Sequence, residues 1–195
     1  MQDLAAGVAR FRRDVFPAKA ELFAHLATTH TPTTLFISCS DARVVPELIT
    51  GSEPGDLFVI RTAGNLVPAY TAGADGVAAS IEYAVAVLGV TDIVVCGHSA
   101  CGAMTALAEG HDLSALPTIA DWLRHAGASL ARTADTGVDA LVRGNVLAQL
   151  ANLATHPSVA RALAGNKVTL HGWVYDIPTG AVARLDAAGT PALAA

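Results

Sequence analysis

Leu35-Phe36-Ile37-Ser38-Cys39-Ser40-Asp41-Ala42-Arg43 is an apolar run that ends in a cysteine and two opposite charges. Its counterpart is Ile93-Val94-Val95-Cys96-Gly97-His98-Ser99-Ala100-Cys101-Gly102, a second apolar run ending in an imidazole and a thiol. Consecutive β-branched and aliphatic residues read as strands buried on both faces, the pattern of a parallel sheet. Two such strands side by side deliver Cys39, His98 and Cys101 to one sheet edge, where open α/β sheets place their sites.

The flanking pattern supplies the rest of that sheet. Leu57 to Ile60, after the turn Glu53-Pro54-Gly55-Asp56, reads as a strand, as do Lys167 to Tyr175 and, past Gly180, Ala181 to Leu185. Between them lie helical stretches. Val44 to Ile49 ends near Gly51, and Asp75 to Leu88 carries Val77, Ile81, Val85 and Leu88 and stops at Gly89. Leu113 to Leu130 and Asp135 to Ala154 are predicted helical, the latter with the stripe Val138, Leu141, Val142, Val146, Leu150 and Leu153. Pro157 opens a last helix that Gly165 closes, and the helix after the third strand is predicted to start at Ser99 or Ala100, with Cys101 in its first turn.

The expected fold is α/β: a mainly parallel sheet of four strands plus an antiparallel edge strand, helices on both faces, and an N-terminal helical arm. Residues 1–195 read as a single domain in which 1–30 form the arm. There Leu4, Val8, Phe11 and Val15 recur at helical spacing, Pro17 is expected to break or kink the helix, and Leu22 and Leu26 carry a second piece. With no sheet of its own to cover, the arm is expected to pack on a partner subunit.

Composition narrows the function classes. More than half of the chain is apolar (52%), only 15% is charged and the mean hydropathy is +0.45, which points to self-association, as a homodimer or tetramer. The net charge of −5 argues against nucleic acid. No apolar stretch approaches a membrane span and no secretory pattern stands at the start, so no membrane partner and a cytoplasmic location are expected. Three widely spaced cysteines are no disulfide framework, and metal or catalytic use is favoured.

Two sulfurs and one imidazole form a zinc donor set with one coordination position left over. Residue types alone leave a second reading open, because His-x-x-Cys is a weak signal and a lone strand cysteine is commonly a small buried hydrophobe. Cys96 is read that way. Gly102 allows a backbone N–H to approach a small anion at a helix start, or serves packing alone. His25, His111, His125, His156 and His171 have no ligand-like spacing.

Taken together, the Cys39–Arg43 and His98–Gly102 motifs closely resemble the paired motifs of the β-class carbonic anhydrases. The resemblance continues through Glu53–Arg61, Ala63–Pro68 and Ile81–Val85, reappears in His171–Tyr175, and is weak from Gly110 to Asn166. It implies reversible hydration of carbon dioxide to bicarbonate and a proton by zinc-bound hydroxide. By carry-over, Cys39, His98 and Cys101 bind Zn2+, with Asp41 as fourth ligand in a closed, inactive state.

Since two thiolates cancel the charge of the metal, neighbouring groups must compensate for weaker acidification of its water. Asp41 is the expected hydrogen-bond acceptor and Arg43 the group that grips it, the alternative being a surface ion pair of small value. The resemblance further implies an apolar substrate wall from Phe58 and, from the partner subunit, Tyr83, with a polar contact at His30 where the family commonly has glutamine. A regulated branch holds bicarbonate with a tryptophan, an arginine and a tyrosine. Arg61 and Tyr175 match, but Phe36 stands in the tryptophan place and lacks the indole donor, so no such site is expected. Two rival readings are a carbonyl sulfide or carbon disulfide hydrolase and a non-catalytic zinc module with four protein ligands.

Overall fold

Thr34–Cys39 (β1) is an interior strand and is buried from Leu35 onward in the computed structural model, which describes residues 3–73, 75–133 and 137–193. β1 runs parallel to Leu57–Thr62 (β2) on one side and to Asp92–His98 (β3) on the other. Thr169–Tyr175 (β4) continues the parallel sheet beside β3, and Val182–Leu185 (β5) returns antiparallel to β4. These are the expected four parallel strands and the antiparallel fifth. A further strand, Pro191–Leu193 (β6), pairs with β5, so β5 is not the edge and the described order is β2-β1-β3-β4-β5-β6. Three residues that start on proline are too short to show a period of two, and proline is tolerated at a sheet edge.

Alternation sorts the side chains of β1 and β3 to two faces. Leu35, Ile37, Ile93 and Val95 form a core with Ile81, Val146 and Val159. These last three come from Gly76–Glu82 (α4), Val138–Leu153 (α8) and Pro157–Ala164 (α9). Phe36, Val94 and Cys96 face the other way with Trp173 and Tyr175, where Thr50 of the short helix Pro46–Thr50 (α3) shares a pocket with Phe36. A third cluster lies beside the ends of β1 and β3. It joins Cys39, Leu66, Cys101 and Met104 to Leu123, Leu141 and Val142, from Gly102–Ala108 (α5), Pro117–Leu123 (α6) and α8.

Several predicted helices differ in detail. The expected helix Leu113 to Leu130 is instead α6, a 3-10 turn at Arg124–Ala126 and Gly127–Arg132 (α7), since Pro117 sets a start where no earlier N–H is needed. The helix after β3 begins at Gly102, not at Ser99 or Ala100, because Ala100 adopts a left-handed φ of 52° that no helix continues through. The start predicted at Asp135 lies outside the described residues.

The chain divides after Thr31 into two compact units. In the first, Asp3 caps Leu4–Arg10 (α1), and the chain stays helical past Pro17 through a π turn and a 3-10 turn into Ala20–Leu26 (α2). Proline fits because it stands at the first turn of the 3-10 segment, where its missing N–H costs nothing. Phe11, Phe16 and Phe23 pack ring to ring in this unit, with Phe16 and Phe23 stacked at 5.4 Å.

Candidate metal centre

The three donor residues converge. The Sγ atoms of Cys39 and Cys101 and a ring nitrogen of His98 lie within 4.8 Å of one another, and all three residues are buried. Strand register explains this, since β1 and β3 are adjacent and parallel and both reach their last residues at the same sheet edge. His98 Nδ1 stands 2.9 Å from the Ser99 carbonyl, which only accepts, so the proton sits on Nδ1 and Nε2 keeps its lone pair. That Nε2 is buried and has no hydrogen-bond partner among the described residues. A buried, unpaired imidazole nitrogen between two sulfurs is an unfavourable arrangement unless a metal completes it.

Cys101 is the N-cap of α5 rather than a first-turn residue. The Cys101 thiol beside Cys39 holds the Cys39 thiol well below its ordinary range, against the opposing effect of burial. The same contact pushes Cys101 up, burial adds to it, and the N–H groups of Met104 and Ala103 pull the other way. Without metal, the two sulfurs thus share a proton that a cation displaces. Cys96, in contrast, is fully buried, and desolvation raises its thiol to about 12, an inert packing role.

Asp41 and Arg43 form the expected two-point pair. Arg43 Nε donates to Oδ1 at 2.9 Å, Nη2 donates to Oδ2 at 2.7 Å, and the Arg43 backbone N–H adds a bond to Oδ1 at 2.9 Å. The guanidinium also reaches the Ala100 carbonyl at 3.0 Å, tying the Cys39 loop to the Cys101 loop. These bonds keep the Asp41 carboxyl far below the usual carboxylate range. Its Oδ2 lies 3.9 Å from His98 Nε2, close to the donor cluster but turned toward Arg43.

The sequence pattern assigns no supporting role to the residues that hold this arrangement, and matches Arg61 only to the arginine of a second bicarbonate site. Arg61, at the end of β2, donates to the carbonyls of Cys39 (3.1 Å), Asp41 (2.6 Å) and Val44 (2.8 Å), and so fixes the loop from ligand to helix start. Gly64 gives its N–H to Cys39 Sγ at 3.4 Å. Only glycine fits there, because φ is +72° and a Cβ would lie 2.9 Å from the Ala103 side chain. The 63–67 loop is held in turn by side-chain amides of α8, of which Asn145 and Gln149 are fully buried. Asn145 donates to the Gly64 carbonyl, Gln149 accepts from the Val67 N–H, and Asn152 donates to the Val67 carbonyl. Polar residues at 145, 149 and 152 on the apolar face of a helix were the available signal.

The predicted substrate residues are distributed differently. Gly102 stands next to Cys101 at the start of α5, and a Cβ there would meet nothing within 4 Å. Phe58 and Tyr83 are neighbours in one chain, ring centroids 6.0 Å apart. Phe58 lies four residues up β2 from Thr62, the register partner of Cys39, or about 13 Å along the strand. The two rings form a pair at that distance from the strand end that carries Cys39. His30 belongs to the N-terminal unit.

A mainly parallel α/β sheet with a buried Cys-His-Cys set where two neighbouring strands end defines a metal-dependent enzyme class. A family profile described as "Carbonic anhydrase" matches residues 34–182. A carbonic anhydrase of Pseudomonas aeruginosa is 57% identical over 195 residues, covering 96% of this chain and 89% of the relative. The structure of the β-carbonic anhydrase CcaA superposes with a TM-score of 0.93 at 41% identity, over 98% of both chains. One of two tetrameric β-carbonic anhydrases from Sordaria macrospora does so with a TM-score of 0.74 at 30% identity, over 96% of this chain and 93% of the other. The chain belongs to the carbonic anhydrase family, and within it to the β class.

Proposed function

We propose that this enzyme catalyses the reversible hydration of carbon dioxide to bicarbonate and a proton, with zinc held by Cys39, His98 and Cys101. The observation that carries the reading is the buried, unpartnered His98 Nε2 between two sulfurs. The donor set fits zinc, since two thiolates with an imidazole are a zinc-type set and the three ligand atoms are gathered within 4.8 Å of one another. Bound zinc supplies a Lewis acid that lets solvent lose a proton near neutral pH.

The remaining work falls to the chain's own groups. Asp41, held ionised by Arg43, offers acceptor oxygens only, so a solvent nucleophile beside it must point its hydrogen at the carboxylate and its lone pair at the substrate. The same carboxylate is the candidate fourth ligand once the Arg43 grip is lost. Gly102, without a side chain, leaves its helix start open to the developing bicarbonate. Phe58 and Tyr83, paired on one chain and distant from its own donors, serve the partner subunit's substrate pocket in a homodimer or tetramer, with His30 as a further polar contact. Exposed Leu4, Val8 and Phe11 on the N-terminal unit support an arm that packs on that partner. Arg61, engaged by three carbonyls, and Phe36, edge-on to Trp173 at 5.9 Å, support the absence of a second bicarbonate site.

No helix among the described residues is long and apolar enough to cross a membrane. Three free cysteines, two of them metal donors, support a reducing, cytoplasmic location. The test is stopped-flow hydration of carbon dioxide beside turnover of carbonyl sulfide, with zinc counted by elemental analysis. One zinc per chain and rapid carbon dioxide turnover are expected; a preference for carbonyl sulfide or a metal-free active protein overturns the reading.

A further inference from the structure

We infer that Trp122 is a positioning residue for the metal: its indole N–H polarises the Ala63–Gly64 peptide, whose own N–H is bonded to the Cys39 sulfur. This inference rests on the proposed zinc site and adds a residue to it.

Trp122 Nε1 donates to the Ala63 carbonyl at 2.9 Å, and the Gly64 N–H donates to Cys39 Sγ at 3.4 Å. That carbonyl and that N–H belong to one planar, resonance-coupled peptide group. A donor at the oxygen draws electrons from the nitrogen and makes the N–H a stronger donor, a cooperative gain of about 10–30% per bond. Trp122, the peptide and the sulfur therefore form one oriented chain of two hydrogen bonds. The peptide has no freedom to leave it. The residue on its nitrogen side, Gly64, has a left-handed φ and a Cβ position blocked by Ala103, and its carbonyl is fixed by buried Asn145. Trp122 itself stands half-buried at the edge of the Cys39–Cys101 cluster, against the ring of His125 at 5.3 Å.

The chemical consequence follows from charge. Two thiolates neutralise a divalent ion and blunt its pull on solvent. A hydrogen bond to one sulfur withdraws part of that donated charge and restores some of the pull. Outer partners of this kind commonly change metal affinity or activity about 10–100-fold when removed. Here the outer partner is separated from the sulfur by two hydrogen bonds and the three covalent bonds O=C, C–N and N–H of one peptide group.

Two measurements on the unmodified protein test the relay. Loaded with 113Cd, the protein is expected to show a scalar coupling between the metal and the Gly64 amide proton, carried through the N–H···S bond, and slow solvent exchange of the Trp122 indole proton. Absence of the coupling, or an indole proton exchanging at the rate of free solvent contact, overturns the inference whether or not any variant folds. Trp122→Phe keeps a ring and removes only the donor. In the folded variant the coupling should shrink and the sulfur-to-metal charge-transfer band of the cobalt(II) form should move to longer wavelength. An unchanged coupling and band refute the relay. Protein that retains one zinc per chain but lacks the coupling sinks the relay alone, whereas protein that binds neither zinc nor cadmium sinks the zinc reading and the relay with it.

Discussion

Asn145→Leu is the sharpest test of how the 63–67 loop is held. Asn145 is fully buried on α8, where its Nδ2 donates to the Gly64 carbonyl at 2.9 Å and its Oδ1 accepts from Ser129 Oγ and Gln149 Nε2, each at 2.9 Å. Leucine has the same branched skeleton with the same number of side-chain heavy atoms and a larger volume, so the change strips hydrogen bonds without opening a cavity. Gln149 Nε2 keeps a 3.5 Å approach to Ser129 Oγ and is only partly orphaned. The Gly64 carbonyl loses the Asn145 donor and the Ser129 O–H loses the acceptor of its proton, at about 1–3 kcal/mol each. Added apolar burial returns about 1 kcal/mol, which leaves a net loss near 3 kcal/mol. Urea unfolding at fixed zinc and fixed protomer concentration should then show the midpoint fall by about 1.5 M, for a slope of about 2 kcal/mol/M. A shift below about 0.3 M with an unchanged slope refutes the argument, because it means the buried amide network contributes no more than the apolar side chain that replaces it.

Cys39→Ala should abolish zinc retention, and full metal content by elemental analysis would contradict the donor set. Asp41→Ala leaves the three donors intact and should keep zinc while lowering carbon dioxide hydration about 10- to 100-fold; an unchanged rate removes Asp41 from the mechanism. Because Arg43 holds the Asp41 carboxyl below its unfolded value, the pair stabilises the fold fully above about pH 4 and loses that contribution as pH falls through the depressed folded value. Asp41→Asn should therefore flatten the acid limb of a melting-temperature profile, and an identical limb would contradict the pairing. Wild-type activity should climb from about pH 7 to about pH 9, as a thiolate-rich site acidifies solvent less than an all-imidazole one; a flat profile counts against the charge argument.

Strand register was legible because its cause is local. Consecutive apolar residues before Cys39 and before His98 leave little choice but buried parallel strands, and a donor at the end of each follows from that. Helix boundaries were less legible where a backbone dihedral decided them. Ala100, an ordinary helix former, sits at φ 52° because the chain between His98 and Cys101 must turn so that both donors face one point, and no residue type announces that demand. The π turn that begins at Tyr83 and the 3-10 passage at Pro17 likewise depend on packing that a periodic pattern does not encode.

The supporting roles of the residues around the donors were illegible for a different reason. Arg61 and Trp122 act on carbonyl oxygens, which are present at every position and so leave no mark in a sequence. Asn145, Gln149 and Asn152 did leave one, as amides at i, i+4 and i+7 where the face of α8 should be apolar. A buried amide stabilises nothing unless its partners are in place. Polar residues at helical spacing inside a hydrophobic stripe are therefore best read as hands reaching for a backbone, and here that backbone is the one whose N–H rests on the Cys39 sulfur.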